Sequence, residues 1–127
     1  MDLTLENEIT DRFLRLGWDR NEVKSVFEIV DEFESDFEVK RISIYGSMAR
    51  GTQNDESDID VGIETSNSDY FKREDRQVNT DNGQGRNIQV NFSPFGFDER
   101  SAKSNNKEIR YLAQERVRDK IVLHKKI

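Results

Sequence analysis

Leu5, Ile9, Phe13 and Leu16 recur at three- and four-residue spacing near the start of the chain. This is the stripe of an amphipathic helix, and Gly17 is placed to end it. Asp19 or Asn21 can cap a second helix, along which Val23, Val26, Phe27, Val30 and Phe33 line one face. The period then falls to two. Val39, Arg41, Ser43 and Tyr45 alternate with Lys40, Ile42 and Ile44 in a β-branched run that predicts a strand stopping at Gly46. Ile59, Val61 and Ile63 alternate with Asp58, Asp60, Gly62 and Glu64, as in a strand with one buried and one functional face. The connection between these strands, GSMARGTQNDES, is rich in turn formers. A polar stretch runs from Thr65 to Arg86, in which Asn82-Gly83 and Gly85 signal a tight turn; Ile88, Val90 and Phe92 then make a further strand that Ser93-Pro94 closes. Ile109, Leu112, Ala113 and Val117 mark a last helix, and Ile121 to Leu123 a short edge strand. Helices before and after a small mixed β-sheet define an α/β or α+β class.

Composition narrows the chemistry. The 127 residues have room for one domain, 1–127. Leu, Ile, Val and Phe number 33, enough for a core, but 36% of residues are charged, so that core is thin. No cysteine is present and His124 is the one histidine, which excludes disulfides, thiolate metal sites and multi-histidine sites and leaves oxygen ligands for any metal. The start, MDLTLENEIT, has no basic segment followed by an apolar run, and no stretch reaches the roughly 20 apolar residues of a membrane span, so a cytoplasmic protein without a membrane partner is expected. A net charge of −6 argues against nucleic acid as a general partner. The charge is uneven, however: residues 101–127 hold 8 of the 20 basic and 3 of the 26 acidic residues, as a docking surface or a solvated helix face would.

The informative segment is Tyr45-Gly46-Ser47-Met48-Ala49-Arg50-Gly51, followed by Asp58-Ile59-Asp60-Val61. A strand that ends in Gly-Ser and turns into a helix gathers backbone N–H groups and a hydroxyl at one point, an arrangement suited to phosphate oxygens. Gly46 permits close approach, Ser47 can hydrogen-bond a terminal phosphate, and Arg50 lies one turn away on the same short helix. Asp58 and Asp60 flank Ile59, so both project from one sheet face with Cα atoms about 6.5 to 7 Å apart. Two carboxylates so placed repel each other unless a cation intervenes, and Mg²⁺, completed by water and substrate phosphates, is the natural ion for such oxygens.

Gly46-Ser47-x-x-Arg50-Gly51 with Ser57-Asp58-Ile59-Asp60-Val61 resembles the signature of the nucleotidyltransferase superfamily related to DNA polymerase β. The short chain further resembles the minimal nucleotidyltransferases, many of which are antitoxins encoded beside a helical HEPN ribonuclease toxin. The resemblance implies that the Gly46-Ser47 turn holds nucleotide phosphates and that Asp58 and Asp60 ligate magnesium. It implies transfer of a nucleotidyl group, AMP from ATP, to a hydroxyl of a macromolecular acceptor such as a partner toxin. A protein partner or a second copy of the chain is expected to complete the cleft.

One departure matters. Members of that superfamily supply a third carboxylate from a later strand, and here that strand reads Asn87-Ile88-Gln89-Val90-Asn91-Phe92, placing neutral Gln89 or Asn91 at the acidic position. An amide oxygen can bind a cation but cannot serve as a base. Glu64 is about 13 Å along its strand from Asp60, too far to substitute, whereas Asp98 could do so if the Phe95-Gly96-Phe97 loop folds back. The alternative is a catalytically weakened nucleotidyltransferase fold acting as a nucleotide- or partner-binding module. Among the remaining candidates, His124 reads as an edge packing residue and Trp18 as a staple between the first two helices. Tyr45 reads as a base contact or a strand end, and Lys72, Arg73 and Arg76 as a solvated helix or cations facing triphosphate or partner.

Overall fold

The computed structural model describes residues 1–72, 76–79 and 85–126. Two helices come first, α1 (Leu3–Arg15) and α2 (Arg20–Glu34). Asp2 caps α1 by accepting the Leu5 N–H at 2.9 Å. Asp19, rather than Asn21, caps α2 in a reciprocal box: its side chain accepts the Glu22 N–H at 2.9 Å while Glu22 accepts the Asp19 N–H at 3.0 Å. Strand β1 (Val39–Tyr45) follows and leads through Gly46 into a one-turn helix, α3 (Ser47–Arg50), and then to β2 (Ile59–Thr65). After a 3₁₀ turn over Ser68–Lys72, β3 (Arg76–Asn79) pairs antiparallel with β4 (Asn87–Pro94). The chain ends with α4 (Phe97–Ser101), α5 (Lys107–Asp119) and β5 (Ile121–Lys125).

These strands form one mixed sheet in the order β3-β4-β2-β1-β5, in which β2 and β4 run parallel and every other pair is antiparallel. The expected α+β class with a mixed sheet between helices is what the chain adopts. The sequence pattern did not foresee β3 or α4, which are four and five residues long. Arg73 and the Asn82-Gly83 turn lie outside the described residues, as do the side chains of Lys72 and Arg76. Arg76 itself opens β3, not a helix.

The core lies on one side of the sheet. Ile42, Ile44, Ile59, Val61, Ile63, Ile88 and Val90 meet Phe13 of α1 and Val26, Ile29, Val30 and Phe33 of α2, and all are fully or almost fully buried. Leu5, expected in the helix stripe, is 40% exposed instead, and the buried residues of α1 are Ile9 and Phe13. Trp18 stacks on Phe13 with ring centroids 4.0 Å apart and donates its indole N–H to the Met48 carbonyl at 2.9 Å. Trp18, expected as a staple between the first two helices, thus packs on α1 and ties α3 to it.

The other face of the sheet is polar. Arg41, Ser43 and Tyr45 of β1 lie beside Glu64, Gly62 and Asp60 of β2, which in turn pair with Ser93, Asn91 and Gln89 of β4. Helices α4 and α5 cover this face through ions. Buried Arg41 grips Glu64 through two nitrogens and reaches Glu99 of α4 at 2.6 Å, which also accepts from Lys120 at 2.8 Å. Glu99 is held down to about 2 by Lys120 and Arg41, which outweigh the opposing effect of its burial. Of the four apolar positions that marked α5, Ala113 is buried and Ile109, Leu112 and Val117 are exposed.

Candidate functional site

The β1–α3 junction is built around Gly46, whose φ of 76° and ψ of −156° are a conformation that side-chain-bearing residues avoid. A Cβ at Gly46 would sit 3.0 Å from Oδ2 of Asp60, so the turn and the second acid of the Asp-x-Asp segment pack against each other. Register explains the meeting: Tyr45 pairs directly with Asp60 across β1 and β2. Asp58 precedes the strand and is exposed, whereas Asp60 is half-buried. Burial, together with the negative charge of Asp58, raises the Asp60 carboxyl above its ordinary range, and Arg116 opposes the rise.

A cleft of about 270 Å³ opens at this point, lined by Tyr45, Gly46, Arg50 and Asp60 from the sheet side and Leu112, Glu115, Arg116 and Asp119 from α5. Tyr45 does not reach out of the fold. It is buried across Gly62, where an added Cβ would lie 2.1 Å from Cε2 of the ring. The Arg116 guanidinium sits 4.4 Å above that ring. A larger groove of about 480 Å³ lies alongside, between β4 and the α4–α5 pair, and shares Leu112 and Arg116 with the cleft.

Residues 26–123 match the family described as the nucleotidyltransferase domain. The chain belongs to that family. No curated protein matches it. The match spans β1 to β4, enters β5 and includes both the Gly-Ser and Asp-x-Asp segments.

Within this nucleotidyltransferase domain, the sequence-derived site residues fall as follows. Gly46 and Asp60 are brought together in the cleft, with Arg50 on its wall. Arg50 is held by α5, 3.5 Å from Glu115 and 3.7 Å from Asp119. Ser47 begins α3, half-buried, and Asp58 stands at the mouth of β2; neither lines the cleft. The strand partner of Asp60 on β4 is Gln89, so the neutral residue beside the acids is Gln89, while Asn91 pairs with Gly62 one step further in. Asp98 is buried on α4 and paired with Arg116 at 3.3 Å. Glu64 accepts the Gly96 N–H at 3.0 Å and is committed to Arg41. Both carboxylates are thus engaged by arginines of the fold. Among the described residues, no group of three or more His, Cys, Asp or Glu side chains is arranged to hold a metal. His124 lies on edge strand β5, its Nε2 buried without a hydrogen-bond partner, and burial pushes its pKa down.

Two carboxylates, one half-buried and raised by its neighbour, with an amide oxygen alongside, are a donor set that fits one hard divalent cation completed by water and phosphate oxygens. Arg116 was not singled out in the sequence. A signal was present: it lies one helical turn beyond Ala113, the single buried residue of α5, and so shares the covered face.

Proposed function

We propose that this nucleotidyltransferase domain binds a nucleoside triphosphate with Mg²⁺ and transfers the nucleotidyl group, AMP from ATP, to a hydroxyl of a macromolecular acceptor. The observation that supports this reading is the close approach of Gly46 and Asp60, which sets the Gly-Ser turn against the second acid of the Asp-x-Asp segment. Gly46 and Ser47 hold the β and γ phosphates in line with the attacking group. Asp58 and Asp60, with the Gln89 side-chain oxygen, would hold the magnesium. When bound, that ion would supply Lewis-acid stabilisation of charge on the phosphates. The acceptor oxygen bonds to the α-phosphorus, the bond from that phosphorus to the bridging oxygen breaks, pyrophosphate leaves and the hydroxyl proton passes to water. Gln89 offers no base for that proton, so turnover is slow.

The acceptor class rests on the resemblance to minimal nucleotidyltransferases: a partner protein, a helical HEPN ribonuclease toxin, encoded beside this chain. The neutral Gln89 favours a second reading, a nucleotide- or partner-binding module that docks without transfer. Incubation with ATP labelled on the α-phosphate, Mg²⁺ and the adjacent gene's product separates the two. Label on that product with the wild type and none with Asp60→Asn supports transfer. Nucleotide binding without label on any acceptor supports the module.

A further inference from the structure

Charge at the cleft is unevenly supplied. Asp60 lines it and Asp58 stands exposed at the mouth of the same strand, but the strand neighbour of Asp60 on β4 is the neutral Gln89. An amide oxygen can enter a cation's shell without helping to neutralise it. Above the same sheet face stands a fixed cation. Arg116 projects from the covered side of α5 over the ring of Tyr45, the strand partner of Asp60, and lines the cleft with Gly46 and Asp60.

Its bonding leaves it available. The ion pair with Asp98 is made through Nε alone, and the two terminal amino groups have no hydrogen-bond partner among the described residues. Its side chain is 48% exposed. Asp98 and the Tyr45 ring thus hold the guanidinium in place while its outer edge stays free, and that planar edge matches two phosphate oxygens at once. Arg50 contrasts with it, since its guanidinium already faces Glu115 and Asp119. A second divalent ion beside Gln89 would meet an uncharged ligand, and the guanidinium of Arg116 stands in the same cleft as Asp60, so Coulomb repulsion disfavours it.

We infer that the site takes one divalent ion per chain and that Arg116 supplies the second positive charge directly to the triphosphate. This rests on the nucleotidyltransferase reading above. Mn²⁺ bound in the presence of a non-hydrolysable ATP analogue is counted by electron paramagnetic resonance, and ATP and AMP affinities are measured by calorimetry. Expected are one Mn²⁺ per wild-type chain, a second in Gln89→Glu, and a loss of about tenfold in ATP affinity in Arg116→Lys with AMP affinity unchanged. Arg116→Gln combined with Asp98→Asn removes the cation without stranding a buried carboxylate, and the same selective loss for ATP is expected. Two Mn²⁺ per wild-type chain, or Arg116 variants that bind ATP and AMP as the wild type does, would overturn the inference while leaving the nucleotidyltransferase reading intact. Failure of wild-type protein to bind both nucleotides would overturn both.

Discussion

Asp60 is a carboxylate that the fold holds at a cost. Its carboxyl is raised by burial and by Asp58, so the folded chain holds this proton more tightly than the unfolded chain does, and stability falls as pH rises above the ordinary carboxylate range. Replacing the acid with an amide removes that penalty. In the presence of a chelator, Asp60→Asn should melt at a higher temperature than wild type at pH 7, with the gap closing below the usual carboxylate pKa; thermal melts across pH check this, and a lower melting temperature at pH 7 would contradict it. Gly46 gives the opposite kind of constraint. Alanine there must adopt a φ of 76° with its Cβ 3.0 Å from Asp60, so Gly46→Ala should lose about 1 to 3 kcal/mol in urea unfolding. At this scale the Gly-Ser and Asp-x-Asp residues were legible in the sequence because turn chemistry and strand alternation are local. Which amide stood beside Asp60 was not, since Gln89 and Asn91 differ by two residues and only the pairing with β2 decides between them.

Strands and helices were legible where their burial is one-sided. Helices α1 and α2 and strands β1, β2 and β4 each present an apolar stripe to the same core. Helix α5 was legible as a helix but not in its orientation. Its partner is the polar face of the sheet, so the one buried residue is Ala113, while Arg116 and the apolar positions Ile109 and Leu112 stay exposed along the groove and cleft between helix and sheet. Apolar periodicity finds a helix's core side only when the surface opposite is apolar. Short α3 depends on neighbours too: the indole of Trp18 binds the Met48 carbonyl. Trp18→Phe keeps the stacking on Phe13 but deletes that bond, and should lose about 1 kcal/mol in denaturant titration together with weaker nucleotide binding. Unchanged nucleotide affinity would show that the turn does not need this tether.

Across the whole molecule, two kinds of attachment meet at the sheet. No residue of α4 or α5 joins the hydrophobic core, and the pair is bound instead by the Arg41, Glu64, Glu99 and Lys120 network. Glu99 is depressed from its ordinary value of 4.5 to about 2, so its contribution is present above that ordinary value and is lost as pH falls toward 2. Hydrogen exchange followed through that window should show residues 97–119 opening before α1 and α2. Simultaneous opening would place the layer inside the main cooperative unit. Among the described residues, no helix is long and apolar enough to cross a membrane.

The most direct measurement is calorimetric titration of ATP into the protein with and without Mg²⁺, for the wild type and for Asp58→Asn and Asp60→Asn. Expected is Mg²⁺-dependent binding to the wild type that weakens at least about tenfold in each variant, the scale set by losing a charged ligand. Absence of ATP binding, or equal binding by all three proteins, would contradict a site formed by the Gly46 turn and the paired aspartates.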